Sequence, residues 1–175
     1  MVTPLAWLGK TDAVSSATPL AMMSADPDAE ISLVELLFGM RGGSLGETCV
    51  IALLLGGLYL VIRRVISPMI PVVYIGTVFV LTWVLGANPM AHILSGGLML
   101  GAVFMATDYA TCPINRTGKL VYAIGCGCLT VLIRLYGSLP EGVSFAIVIM
   151  NILTPLIERV TRPLPFGNKR RAVSK

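Results

Sequence analysis

Long aliphatic runs recur five times between Gly46 and Ile157, each long enough, or nearly so, to cross a hydrocarbon core of about 30 Å as a helix. The pattern predicts span one from about Gly46 to Ile62, ending at Arg63 and Arg64, and span two from Pro68 to Gly86 after a very tight connection. Span three is expected from Pro89 to about Thr107, span four from Lys119 to Tyr136, and span five from Gly142 to Ile157. Ser67-Pro68 and Asn88-Pro89 each place a capping residue before a proline suited to the first helical position. Ahead of the spans, Met1 to Glu30 is polar and rich in small residues, with Pro4, Pro19 and Pro27 and the acids Asp26, Asp28 and Glu30. It reads as an extended tail. Ile31 to Met40 is too short to span and is expected to lie at the interface or to re-enter the bilayer. The domain plan is therefore a tail over 1–30, an interfacial or re-entrant segment over 31–45, a five-helix transmembrane domain over 46–160, and a basic tail over 161–175. The expected fold class is an all-α polytopic membrane protein.

Composition supports that plan. Of the 175 residues, 55% are hydrophobic and 13% charged, with a mean hydropathy of +0.84, more apolar surface than one soluble core of this size hides. The net charge of +4 does not point to nucleic acid, because the Lys and Arg residues sit between or after the apolar runs. One side carries Arg63, Arg64, Arg116, Lys119, Arg159, Arg162, Lys169, Arg170, Arg171 and Lys175; the other has Lys10 and Arg41, with Arg134 near the end of span four. The positive-inside rule puts the carboxy terminus in the cytoplasm and, with five spans, the amino-terminal tail outside. The opening MVTPLAWLGK has no basic region and does not read as a signal peptide. Four cysteines are too few and too scattered for a disulfide framework, and Cys126 and Cys128, two apart, fall on different faces of a helix.

Small residues mark expected helix contacts: Gly97 with Gly101 in span three, Gly56-Gly57 in span one, and Gly125 with Gly127 in span four. Glu47, three residues after Ser44, forms a capping box at the start of span one, as Ser138 and Glu141 do before span five. Asp108 differs, because a carboxylate at the inner end of span three opposes the helix dipole and sits near lipid depth. Pro155 cannot bond back to the Asn151 carbonyl and is expected to kink span five, leaving polar groups free to line a cavity. Asp108, Thr111 and Asn151 are thus expected to border an inner site for a cofactor or an ion. His92, the only histidine, reads as an interfacial residue at the external start of span three. Arg134 is expected to snorkel to the external surface or to pair with an acid there, and the methionines read as packing.

The tail contains Asp12-Ala13-Val14-Ser15-Ser16-Ala17-Thr18-Pro19. The pattern Asp-x-x-Ser-(Gly or Ser)-Ala-Thr resembles the acceptor site of the periplasmic flavin transferase, which joins FMN through its phosphate to a threonine hydroxyl. Thr18 matches the acceptor, and Asp12, Ser15, Ser16 and Ala17 match the attachment motif. Small neighbours leave the hydroxyl accessible, and Pro19 biases Thr18 toward extended backbone. A tether through the phosphate leaves the ring free to exchange one or two electrons.

The rest of the chain is similar to the RnfD component of the Rnf ion-translocating electron-transport complex, a family related to the NqrB component of the sodium-pumping NADH:quinone oxidoreductase. The stretches that carry this include Gly43 to Thr48, Leu55 to Leu60, Leu94 to Gly97, Phe104 to Asp108, Leu132 to Tyr136, Pro140 to Val143, Met150 to Ile157 and Thr161-Arg162-Pro163. The resemblance implies an electron relay through FMN on Thr18, coupling ferredoxin and NAD chemistry to sodium or proton export. It implies other Rnf subunits, the flavin transferase and the lipid bilayer as partners, and a second flavin as a further option. It also gives Ser44 and Glu47 a place at the flavin, beyond the capping box. Tyr109 and Cys112 depart from the family's usual Asp-Pro-x-Thr-Ser-Pro. Because the family protein is about twice as long, this chain is expected to be a truncated reading frame or a piece. The competing reading is a permease or channel half-module without flavin.

Overall fold

A computed structural model describes residues 37, 49–95, 97–137 and 142–161. The tail with its 12–18 motif, Ser44, Glu47, Ser138, Glu141 and the 162–175 segment lie outside the described residues. Those described are helical or form the turns between helices, with no strand among them. The helices are α1 (Val50–Ile62), α2 (Met69–Val84), α3 (Pro89–Leu94), α4 (Leu98–Leu100) continuing into a π-helical turn (Gly101–Met105), α5 (Arg116–Tyr136) and α6 (Val143–Thr161). Two of them, α5 and α6, are long and apolar enough to cross a membrane, while α1 and α2 are apolar but only 13 and 16 residues long.

Each helix end has a local cause. Past α1 the chain turns through Arg64 at a left-handed φ of 54°, and the Arg64 and Val65 N–H groups return to the carbonyls of Val61 and Leu60, closing the helix as a glycine would. Gly86, at φ 77°, ends α2, with its N–H and that of Ala87 donating to Trp83 and Thr82. Asn88 takes the expected cap position with Pro89 first in α3, whereas Pro68 itself becomes the cap of α2 and Met69 begins the helix.

The third expected span is not one helix, and this is the main departure from the sequence reading. It stops after Leu94, and Ser95 is extended at ψ 147°. The chain resumes as three α-helical residues followed by the π-turn, in which the Ala106 N–H reaches back five residues to Gly101. Ser95 and Gly97 are poor helix formers, and the Ser95 N–H and hydroxyl both donate to the Ala91 carbonyl, a side-chain to backbone bond that competes with continuing the helix. Gly97 therefore stands in a break rather than at a helix contact. Gly101, by contrast, lies where a Cβ would overlap Val143. Close approach also holds at Gly57 against Val103, at Gly125 against Met150, and at Gly127, where a Cβ would stand 2.7 Å from Thr77.

The core is built around α5, which packs against α2 on one side and α6 on the other, while α3 lies along α2. Tyr74, Tyr122, Ile70, Leu98, Val78 and Cys126 are fully buried there. The outward faces are apolar: Leu55, Ile62, Val72, Trp83, Val84, Ile152 and Val160 are all more than 60% exposed. Such faces suit lipid or further apolar helices, not water.

Candidate functional site

Two polar regions interrupt the apolar packing, one at each end of α5. The first is a cavity of about 310 Å3 between the loop after the π-turn and one face of α6. The α6 wall is Asn151, Thr154, Pro155 and Glu158, the i, i+3, i+4, i+7 face of the helix; the loop wall is Tyr109 to Cys112 and Ile114. Pro155 lies inside α6 and, lacking an N–H, cannot donate to the Asn151 carbonyl, so this wall has an acceptor that the helix itself does not use.

The loop is held by side chains. Glu158 Oε1 accepts from the Ile114 N–H at 3.0 Å, and Asn115 Nδ2 donates to the Thr161 carbonyl at 3.2 Å. The Tyr109 hydroxyl donates to the Val65 carbonyl in the α1–α2 turn. Asn151 Oδ1 accepts from the Tyr122 hydroxyl at 2.6 Å, which fixes the amide at the cavity's deep edge.

Of the residues expected at an inner site, Thr111 and Asn151 line this cavity together. Asp108 joins them indirectly: it is exposed, beyond the π-turn, and its Oδ2 accepts from Thr111 Oγ1 at 3.3 Å. It stands three residues past the π-turn, which ends at Met105. Thr18, Asp12, Ser15, Ser16, Ala17, Ser44 and Glu47 lie outside the described residues. Glu158 was not singled out by sequence reasoning as a cavity residue, although its position seven after Asn151, two helical turns on, is the available signal.

Cys112 is half-buried in the loop wall, and burial pushes its thiol above the ordinary range, with the nearby Lys119 ammonium opposing and Asp108 adding to the rise. A raised thiol holds less thiolate at neutral pH. Alkylation of Cys112 by a water-soluble maleimide is therefore expected to be slower at pH 7 than that of an unhindered thiol and to accelerate as the pH is raised. A rate at pH 7 equal to free cysteine contradicts this.

The second polar region is at the other end of α5. Arg134 does not run out to the surface: it is 7% exposed, and its guanidinium donates to the carbonyls of His92 at 2.5 Å and Ser95 at 3.3 Å. The broken third span supplies these acceptors, since a continuous helix would have used them in its own ladder. His92 is likewise buried, and its Nδ1 has no hydrogen-bond partner. The four cysteines are free, Cys126 buried and Cys128 exposed as their spacing predicts. No group of three or more potential metal ligands occurs among the described residues.

Comparison with known proteins decides the family. The family model described as NQR2, RnfD, RnfE matches residues 1–167. The chain belongs to that family. It is 46% identical over 169 residues to the D component of the Na(+)-translocating ferredoxin:NAD(+) oxidoreductase complex of Acetobacterium woodii, covering 95% of this chain and 53% of the relative. It is 45% identical over 175 residues to the D component of the proton-translocating ferredoxin:NAD(+) oxidoreductase complex of Clostridium ljungdahlii, covering 91% and 53%. Against the D component of the ion-translocating oxidoreductase complex of Stutzerimonas stutzeri it is 44% identical over 151 residues, covering 82% and 43%. The chain thus spans about half the length of the curated relatives it matches. The resemblance to RnfD read from the sequence is borne out over most of the chain.

Proposed function

We propose that this chain is a membrane part of an Rnf-type complex and relays electrons through FMN joined by its phosphate to Thr18, with ferredoxin and NAD chemistry coupled to sodium or proton export. It is not a complete enzyme alone. The observation that carries the reading is the motif Asp12 to Thr18 standing ahead of a helical region similar over most of its length to RnfD. FMN supplies one- and two-electron exchange when bound. On this reading the tail lies outside the bacterial cytoplasmic membrane, where a flavin transferase reaches Thr18, and the carboxy terminus lies in the cytoplasm. The other Rnf subunits are its partners. The cavity lined by Thr111 and Asn151 offers a place for a second, non-covalent flavin or for an ion. A discontinuous third span is also what a permease half-module would show; the electron-relay reading differs in requiring Thr18.

Membranes holding the complex with Thr18→Val are expected to lose NAD reduction by reduced ferredoxin, while the same membranes with Thr18→Ser retain part of it. NAD reduction unchanged by Thr18→Val contradicts the relay.

A further inference from the structure

The turn after α1, the loop at 106–115, the first turn of α5 and the last turn of α6 meet at one end of the molecule. The Tyr109 hydroxyl ties the loop to the Val65 carbonyl, Glu158 holds the Ile114 N–H, and Asn115 Nδ2 reaches the Thr161 carbonyl. Cations collect at this end: Arg63, Arg64, Arg116 and Arg159 are exposed and Lys119 is half-buried, while the acids there among the described residues are Asp108 and Glu158. Both acids already accept hydrogen bonds from the loop, Asp108 from Thr111 and Glu158 from Ile114. The opposite end has no exposed cation among the described residues, since Arg134 is buried. Trp83 and Tyr136 are exposed there instead, as aromatic residues are at the edge of a bilayer. Between the two ends α5 runs from Arg116 to Tyr136, about 30 Å at 1.5 Å per residue, the thickness of a hydrocarbon core.

Along α6 one face is turned to the core through Val143, Ala146, Ile147, Met150 and Thr154. The other is a stripe of exposed apolar side chains at helical spacing, Phe145, Ile149, Ile152, Leu156 and Val160, which reaches the exposed Arg159 at the cationic end. From Phe145 to Arg159 is about 21 Å along the helix, enough to cover the roughly 15 Å of one leaflet's share of the hydrocarbon core. One turn back from Arg159 stand Pro155 and Leu156, neither an acid, and Glu158 beside it is engaged by the loop. A guanidinium at headgroup level above an apolar stripe matches a phospholipid from phosphate to acyl chain. Its planar fork takes two phosphate oxygens together, and the stripe takes the chain. We propose that this face of α6 binds an anionic phospholipid, with the phosphate on Arg159 and an acyl chain along Leu156, Ile152 and Ile149.

The surrounding charge selects the headgroup. A zwitterionic lipid offers the same phosphate but brings an ammonium to a rim already rich in cations, whereas phosphatidylglycerol brings none. An acidic segment of a protein partner would meet the cations but not an apolar stripe a full leaflet deep; a lipid meets both. The expected preference over the zwitterionic lipid is about fivefold, the ratio equivalent to about 1 kcal/mol for a basic residue near an anionic surface.

This inference rests on the reading of the chain as a membrane part of a larger complex. The test uses the assembled complex in vesicles of phosphatidylglycerol and phosphatidylcholine in equal amounts. A trace of one lipid or the other carries a photoactivated diazirine on its acyl chain, and the labelled segments are located by mass spectrometry. Labelling needs neither an electron donor nor Thr18, so its failure is distinguishable from failure of the electron-relay reading. Expected is labelling of α6 about fivefold stronger from phosphatidylglycerol than from phosphatidylcholine. Near-equal labelling from the two is expected in Arg159→Gln, and a retained preference in Arg159→Lys, which keeps the charge. Because Arg159 is exposed, both substitutions leave the core untouched. Equal labelling of α6 by the two lipids, or a preference unchanged in Arg159→Gln, overturns the site. So does α6 left unlabelled while α2 takes label, the result expected where a protein partner covers this face.

Discussion

Replacing Arg134 with Met is expected to destabilise the protein by about 2–6 kcal/mol, because the carbonyls of His92 and Ser95 would each lose a donor at a cost of about 1–3 kcal/mol. The Met side chain fills much of the same volume, so the loss isolates the guanidinium rather than the packing of its stem. Folded proteins are stable by only about 5–15 kcal/mol, and a change of this size would remove a large part of that margin. In detergent the midpoint of thermal unfolding should fall by about 5 °C or more. Arg134→Lys should lie between the two, since one ammonium lacks the planar fork that reaches two carbonyls together. A midpoint for Arg134→Met within a degree of the unaltered protein would mean that other groups satisfy the break. The buried arginine at the end of α5 would then have no structural purpose.

Substituting Gly101 by Val should be comparably damaging through sterics alone. A Cβ at that position would overlap Val143 Cγ1 and approach Ile147 Cδ1 at 3.3 Å, so the start of the π-turn and the first turn of α6 would have to separate. Overpacking of this kind costs about 1–3 kcal/mol, and the two γ-methyls of Val crowd the contact beyond what the Cβ alone does. Gly76 provides the contrast: a Cβ there meets nothing within 4 Å, and it lies inside α2. Gly76→Ala is expected to be neutral or to stabilise by up to about 1 kcal/mol, the propensity difference between the residues. Equal effects at the two glycines, read from unfolding midpoints or from yield of folded protein, would contradict the packing described.

How far the sequence carried depended on the kind of signal. Apolar runs bounded by Arg63-Arg64, Asn88-Pro89 and the polar sequence at 137–142 placed α1, α2, α5 and α6 within a few residues, because length and hydropathy are local properties. The break in the third span was not foreseen. Gly97 read as a small residue for helix contact, and nothing local distinguishes that use from a helix that ends there. What stabilises the break is Arg134, some 40 residues away, together with the Ser95 hydroxyl. The same distance explains why Arg134 and His92 read as surface residues: their burial follows from each other's position. Asp108 was read from the dipole of a continuous helix, whereas the segment before it is a broken one ending in a π-turn at Met105. Thr111 and Asn151 were brought to one cavity as Pro155 suggested, since a proline inside a helix leaves an acceptor whose position follows from the sequence alone.

The central claim, that this chain carries covalent flavin on Thr18, is tested most directly by in-gel flavin fluorescence of the denatured protein. The chain is produced with and without an active flavin transferase, and Thr18→Val serves as the control. The account predicts a fluorescent band that requires both the transferase and Thr18. A dark band from the unaltered chain alongside an active transferase, or a band that persists in Thr18→Val, would contradict it.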